Sequence, residues 1–282
     1  MSVTAGSLRT QALKRRFIRG GLLALALFYV AILLVGPVLG IAWKAMGSGF
    51  DMVSDTLTQP DVVAAARLTA FITLVTVAVT TFFGVITSIV LVRHRFPGRR
   101  FFNALVDLPL AVSPVTVGLM AVLLFGRGGW FEPFFTSRGI SIIFAVPSMV
   151  LVTIFICIPF VIREVGPVLE ELGTEEEDAA RTLGANSIQT FFRVTLPNIR
   201  WGLLYGVALS TARALGEIGA VLIVSGQIQG QNETLTLYIF RAFEERQDVE
   251  GNVVALLLAT VSILLLAAIE IFKRKRSKEM GK

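Results

Sequence analysis

Long apolar runs alternate along the chain with short charged segments. Six runs stand out: Gly20–Trp43, Leu68–Val92, Phe101–Phe125, Ile142–Ile162, Trp201–Ser225 and Val253–Phe272. Each is on the order of 20 residues, the length a helix rising 1.5 Å per residue needs to cross a hydrocarbon core of roughly 30 Å. Backbone polar groups in lipid must be satisfied within the span or in a closed barrel, and no alternating ten-residue strand pattern occurs. The pattern predicts an all-α integral membrane protein with six transmembrane helices.

Composition agrees. Of 282 residues, 54% are hydrophobic and only 16% are charged, against about a quarter charged in a soluble domain; the mean hydropathy is +0.74. Arg9, Lys14, Arg15, Arg16 and Arg19 before the first run resemble the start of a signal peptide. The run is longer than a signal-peptide core and ends in Ile41-Ala42-Trp43 without a small-residue cleavage site, which predicts an uncleaved anchor.

The remaining Lys and Arg residues alternate from segment to segment. Arg93, Arg95, Arg99 and Arg100 follow the second span, Arg163, Arg181, Arg193 and Arg200 lie between the fourth and fifth, and six basic residues follow the sixth. The intervening segments hold only Lys44, Arg67, Arg127, Arg138, Arg241 and Arg246. The split is 19 against 6, with Arg213 inside a span, and by the positive-inside rule it puts both termini in the cytoplasm. The expected division is a basic tail 1–19, a membrane domain 20–272 containing a cytoplasmic loop 163–200, and a basic tail 273–282. The cations are accounted for by topology and leave no case for a nucleic-acid partner.

The loop carries signals of its own. Thr174 through Gly184 reads as a short helix with Thr174 as N-cap, Glu177 completing a capping box, four acids in the first turn and Gly184 as terminator. A second helix follows, capped by Asn186 or Ser187, with Ile188, Phe191 and Phe192 on its apolar side and Pro197 as its stop. Two readings of the phenylalanines stand: knobs that seek a pocket in another protein, or packing on the inner ends of the chain's own spans.

The stretch DAARTLGANSIQTFFRVTLP resembles the EAA signature of ABC-importer permeases, E-A-A, three residues, Gly, nine residues, I-x-L-P. Asp178-Ala179-Ala180, Gly184, Val194, Leu196 and Pro197 fall in register, with Asp178 for Glu and Val194 for Ile. VDLPLAVSPVTVGL, MVLVTIFICIPFVIREVGPV and LPNIRWGLLYGVALSTARALGEIGAVLIVSG extend the likeness to the sulfate/thiosulfate importer permeases, in particular their W-type subunits, over roughly residues 60–270. The resemblance implies the type I importer-permease (MetI-like) architecture and a loop that docks in a cleft of an ATPase. Asp178, Ala179, Ala180, Gly184, Ile188, Phe191, Phe192, Leu196 and Pro197 would carry that coupling. It also implies a homologous T-type second permease, a dimer of cytoplasmic ATPase subunits holding the ATP and Mg, and an extracytoplasmic sulfate-binding protein that touches the loops of Arg127, Arg138, Arg241 and Arg246. Molybdate and tungstate permeases share much of the pattern.

Candidate chemistry within the membrane is sparse. No GxxxxGK[ST] phosphate cradle occurs, since Gly126-Arg127-Gly128-Gly129 lacks the Lys-Ser/Thr pair. The chain therefore has no ATP site of that kind, and no cofactor or metal of its own is expected. Cys157 and His94 are the only residues of their types, which excludes an internal disulfide, thiolate metal clusters and HExxH zinc sites; neither a Ser–His pair nor a metal constellation supports a membrane enzyme. Arg213 and Glu217 lie four apart on one helical face, Arg213 roughly 18 Å along the fifth span from Trp201. Charges at that depth face a bundle interior or an aqueous cavity. The pair either lines a translocation path, with Ser113 beside Pro114 as a weaker polar candidate, or pins an interface. A proton-coupled secondary transporter would need a carboxylate relay, and Glu217, with Arg213 as its countercharge, is the only mid-depth candidate.

Three lesser signals complete the reading. Gly202, Gly206, Ala208, Ala212, Gly216 and Ala220 make a small-residue stripe for close helix packing, against the second permease or within the chain. Asp107 is shallow enough for a capping or loop-binding role. Pro109, Pro114, Pro147 and Pro159 each remove a backbone donor within a span.

Overall fold

The structure, a computed structural model, describes the backbone of residues 5–47 and 49–280 and the side chains of residues 20–33, 35–47 and 49–268. The side chains of the basic tails, 1–19 and 273–282, lie outside the described residues. Among the described residues the regular structure is entirely helical. In chain order the helices are α1 (Ala5–Met46), α2 (Phe50–Thr58), α3 (Pro60–Arg93), α4 (Arg99–Ala111), α5 (Pro114–Phe125), α6 (Glu132–Thr136), α7 (Val146–Leu172), α8 (Glu175–Thr182), α9 (Ser187–Thr190), α10 (Leu196–Leu215), α11 (Gly219–Val224), α12 (Leu235–Glu244) and α13 (Asp248–Met280).

Four stretches are long and apolar enough to cross a membrane: Gly20–Met46 of α1, all of α3, all of α7, and Asp248–Ala268 of α13. Of the other two expected spans one is a broken helix that qualifies as a crossing and the other is not among the helices long and apolar enough to cross, so the described residues give four or five crossings where six were expected. Phe101–Phe125 is the pair α4 and α5, bent by 110° and a fifth crossing when counted as one. The cause is local. Pro114 has no N–H to continue the helix, and its ring drives Ser113 out of the helical region, to φ −61° and ψ 137°. Trp201–Ser225 is α10 and α11, interrupted at residues 216–218 between two glycines. Prolines at helix starts behave differently: Pro60, Pro114 and Pro147 begin α3, α5 and α7, where a missing donor is no loss. Pro109 and Pro159 lie inside α4 and α7.

The bundle is organised around α7. It lies against α3 on one side and α10 on another, while α5 packs on α11 and α13 joins α10, α12 and α1. Val85, Val161, Val165, Leu169 and Ile199 lock α3, α7 and α10 at one end. Ile72, Val117, Met149, Val152 and Val221 fill the middle, and Val62, Ala65, Tyr238 and Val254 tie α3, α12 and α13 at the other end. Gly202 and Gly206 of the small-residue stripe meet a helix of the same chain. A Cβ on Gly202 would stand 2.7 Å from the Glu164 carbonyl oxygen, and one on Gly206 2.9 Å from Val161 Cα. Only glycine lets α10 approach α7 this closely.

This close approach generates a prediction. Gly206→Val forces an overpacked contact worth about 1–3 kcal/mol, so the protein in detergent melts several degrees lower than wild type. Gly36→Val, where a Cβ meets nothing within 4 Å, leaves the melting temperature unchanged. Equal melting of the two variants would show that α7 and α10 are not in contact.

Candidate functional site

At the end of the bundle where α3 stops and α4 begins, α7 runs on to Leu172, three turns past the expected end of its span. The turn at Gly173 (φ +62°) then sends the chain into α8. Its termination follows expectation: Gly184, at φ +90°, donates to the Arg181 carbonyl at 2.9 Å and Ala185 to the Ala180 carbonyl at 3.0 Å, the paired bonds of a Schellman ending. The next helix starts as read from Asn186, whose Oδ1 accepts from the Gln189 N–H at 2.8 Å while Gln189 Oε1 accepts from the Asn186 N–H at 3.0 Å.

Two local expectations fail. Thr174, at φ −114° and ψ −2°, makes no side-chain cap bond, and Glu177 does not turn back to form a capping box. Its carboxylate points into the bundle, pairs with Arg93 Nη2 at 3.2 Å and accepts the Thr195 hydroxyl at 3.0 Å. Pro197 does not stop the second helix. The chain passes from α9 through a π-helical turn, Phe191–Thr195, directly into α10, with Pro197 in its first turn. The wider turn leaves room for the ring, which in a regular α-helix would press on the carbonyl four residues earlier.

Arg93 is the centre of this junction. Its Nη1 donates to the Leu169 carbonyl at 3.0 Å while Nη2 holds Glu177, so one guanidinium joins α3, α7 and α8. Asn198 Nδ2 donates to Glu176 at 2.5 Å and ties α8 to α10. Arg93 and Glu177 side chains are only 13% and 10% exposed, where an ion pair is far less screened than on the surface. The helix is bolted to the spans by its acidic side.

Its apolar side faces away. Leu183 is 89% exposed, Ile188 70% and Phe192 60%, while Phe191 turns inward onto the Val165, Leu169 and Ile199 cluster, as does Leu196. Phe191 therefore packs on the chain's own spans while Phe192 is left exposed, and the two rings sit edge to face at 5.0 Å. Asp178, Ala179 and Pro197 are exposed and Ala180 is half-buried; Asp178 pairs with Arg181 of its own helix at 3.1 Å. Leu183 was missed from sequence, although an apolar residue one step before a helix-ending glycine, on a helix otherwise acidic, was the available signal.

The second cluster lies where the two broken spans meet. A Cβ on Gly219 would stand 2.9 Å from Pro114 Cβ, so the α10–α11 break abuts the α4–α5 bend. Arg213 Nη1 and Glu217 are 2.6 Å apart, with Arg213 30% and Glu217 2% exposed. Glu217 Oε1 also accepts the Ala220 N–H at 2.8 Å and its carbonyl accepts the Thr236 hydroxyl at 2.8 Å. The pair thus satisfies backbone groups that the break frees, while Arg213 sits at the negative end of the α10 dipole. Ser113, exposed at the bend, makes no cap bond. Cys157 and Ser210 exchange bonds between α7 and α10 nearby.

Three further charges find partners that spacing did not reveal. Asp107 pairs with Arg163, whose Nε donates to Oδ1 at 2.7 Å, fastening α4 to α7. Arg241 grips Glu233 at 2.7 and 3.2 Å and Glu245 at 3.0 Å, so it holds the fold of its own loop and is not a free contact for a binding protein. It also lies over Tyr238, whose phenol is pushed up to about 12 by burial and stays a neutral donor to Gln59 and Glu250.

Breaking the junction has a measurable consequence. Glu177→Gln leaves Arg93 buried without its countercharge, a loss of about 3 kcal/mol, and amide exchange across residues 175–195 speeds up at least tenfold. Asp178→Asn, on the exposed side, leaves exchange there within twofold of wild type. Equal exchange in the two variants would mean that Arg93 does not anchor α8.

Comparison with known proteins bears on what such a chain is. Residues 80–278 match the family described as the inner membrane component of binding-protein-dependent transport systems. The chain is 46% identical over 254 residues to the sulfate transport system permease protein CysW of Synechocystis sp., covering 90% of this chain and 92% of that protein. It is 36% identical to the sulfate transport system permease protein CysT of Salmonella typhimurium, covering 90% and 93%. A chain of the crystal structure of a bacterial alginate ABC transporter, in complex with an alginate pentasaccharide-bound periplasmic protein, shares the fold with a TM-score of 0.78 at 16% identity, over 95% of this chain and 98% of that one. The chain belongs to the family of inner membrane components of binding-protein-dependent transport systems, and is a multi-pass membrane protein.

Proposed function

We propose that the chain is the permease subunit of an ATP-driven importer of sulfate-class oxyanions. It forms the translocation path with a homologous second permease, and a separate pair of ATPase subunits, which hold the ATP and Mg, drives it through α8 and the turn that follows. A binding protein delivers the anion from the outer side, and both termini are cytoplasmic. The observation that carries this reading is a short helix joined to three spans by side-chain bonds, with Leu183, Ile188 and Phe192 exposed at its end and in the turns that follow. An apolar ridge held this stiffly transmits a push rather than absorbing it. The identity with sulfate permeases supports the substrate class, and the excess of Lys and Arg on the α8 side supports the orientation.

The chain itself is a non-catalytic component of the transporter. Its contribution is alternating access: when the ATPase subunits close, α8 carries α3, α7 and α10 with it, and the paired breaks at Ser113 and Gly216 let the inner and outer halves of the spans change angle. Arg213 meets the anion at that level. Glu217 neutralises it enough that the anion is guided and not held, since a bare buried cation would bind a dianion too tightly to release it.

Two measurements test this. In the purified complex, Leu183→Asp with Phe192→Asp reduces the retained ATPase at least tenfold while the permease remains folded; full retention would show that the ridge is not the dock. In proteoliposomes, ATP-dependent uptake of labelled sulfate falls at least tenfold in Arg213→Gln, with the complex still assembled and Arg213→Lys intermediate. Loss of assembly instead would assign the pair to the interface alone.

A further inference from the structure

A cavity of about 750 Å³ opens between the end of α3, the start of α4 and the last turns of α7. Its charged lining is Arg99, Arg100, Arg163 and Glu170. These cations are unequally committed. Arg163 is spent on Asp107 and the Asn103 carbonyl. Arg99 approaches Glu170 only at 3.9 Å, with both side chains more than a third exposed, a separation at which an exposed pair contributes little. Arg100 is exposed and has no ion pair among the described residues. Both Arg99 and Arg100 stand in the first turn of α4, which contains no acid, so they oppose the helix dipole and lack the anion that would offset it.

The cavity shares Leu91 and Phe96 with an apolar groove of about 380 Å³ between α3 and α4, walled by Ile86, Val90, Phe102 and Val106. Ile86, Val90 and Phe102 are 43%, 40% and 51% exposed. Ile86 lies roughly 10 Å deeper along α3 than Arg93, at 1.5 Å per residue. A cationic chamber thus adjoins, across Leu91 and Phe96, an apolar groove that lies deeper along α3.

We propose that this composite site binds an anionic glycerophospholipid of the leaflet on the α8 side, with its phosphate between Arg99 and Arg100 and an acyl chain in the α3–α4 groove. A free inorganic anion would use the chamber and leave the groove empty, and a zwitterionic lipid would use the groove without needing two arginines. Basic residues beside apolar spans attract anionic lipid in proportion to their number, and a pocket joining both features selects for the whole molecule. The bound lipid would also stiffen the α3–α4 corner beside the Arg93 junction. The inference needs α3 and α4 to lie in a bilayer with their groove left open to lipid in the assembled protein, and it does not depend on which anion the chain transports.

The test is native mass spectrometry of the full-length chain released from mixed phosphatidylglycerol and phosphatidylcholine. Wild type retains phosphatidylglycerol about fivefold or more over phosphatidylcholine, and Arg99→Gln with Arg100→Gln brings the ratio close to one. Val90→Trp, which fills the exposed groove, lowers phosphatidylglycerol retention at least threefold with Arg99 and Arg100 intact. An unaltered ratio in the arginine variant overturns the proposal. So does full retention in Val90→Trp, which would leave the groove without a part in binding, or displacement of the lipid by millimolar inorganic phosphate or sulfate, which would make the chamber a soluble-anion pocket.

Discussion

The contact on which this architecture turns is the buried pair between Arg93 and Glu177. A helix of eight residues has almost no stability of its own in water, since nucleation alone exceeds what so few bonds return. That α8 is a fixed structural part therefore depends on what holds it. Arg93 grips it from the end of one span while bonding the carbonyl end of another, and Thr195 and Asn198 hold it to a third. With Glu177 buried and Glu176 tied to Asn198, the outward face of the helix keeps Ala179 and the Asp178–Arg181 pair, and Leu183 stands exposed at its end. Rigidity and adhesiveness come from the same orientation.

The same economy of charge applies deeper in the membrane. A break in a span exposes N–H and carbonyl groups where no bulk water can meet them. At residues 216–218 the Glu217 carboxylate takes an N–H of α11, its carbonyl takes a threonine hydroxyl, and Arg213 balances the charge. The bend at Ser113, stacked against this break through Pro114 and Gly219, makes two adjacent spans deformable at one level. A bundle built only of continuous helices, like α3, would resist the change of angle that alternating access demands.

Much of this was legible in the sequence where the cause was local. The apolar runs, the Gly184 terminator and the Asn186 cap follow from periodicity and capping chemistry, and all are found. What escaped was decided by distant partners. Glu177 at the third helical position is equally suited to a capping box, and only the arrival of Arg93, 84 residues earlier, turns it inward. Pro114 and Pro159 carry the same local signal, yet one bends the chain by 110° and the other sits within a helix braced on both sides. Gly216 reads as a packing residue because small side chains and helix breaks share the same composition. Arg241 counts among outward cations until Glu233 closes on it.

The account stands on α8 moving as one body with the spans. The direct measurement is the distance between spin labels at Thr182→Cys on α8 and Arg95→Cys beyond α3, taken in a Cys157→Ser background by pulsed electron paramagnetic resonance on the assembled importer. The account predicts a single narrow distribution that keeps its position when ATP is bound and after hydrolysis, while labels on the ATPase subunits move. A distribution that broadens, or shifts by several ångströms between nucleotide states, would contradict it and make the protrusion a flexible tether.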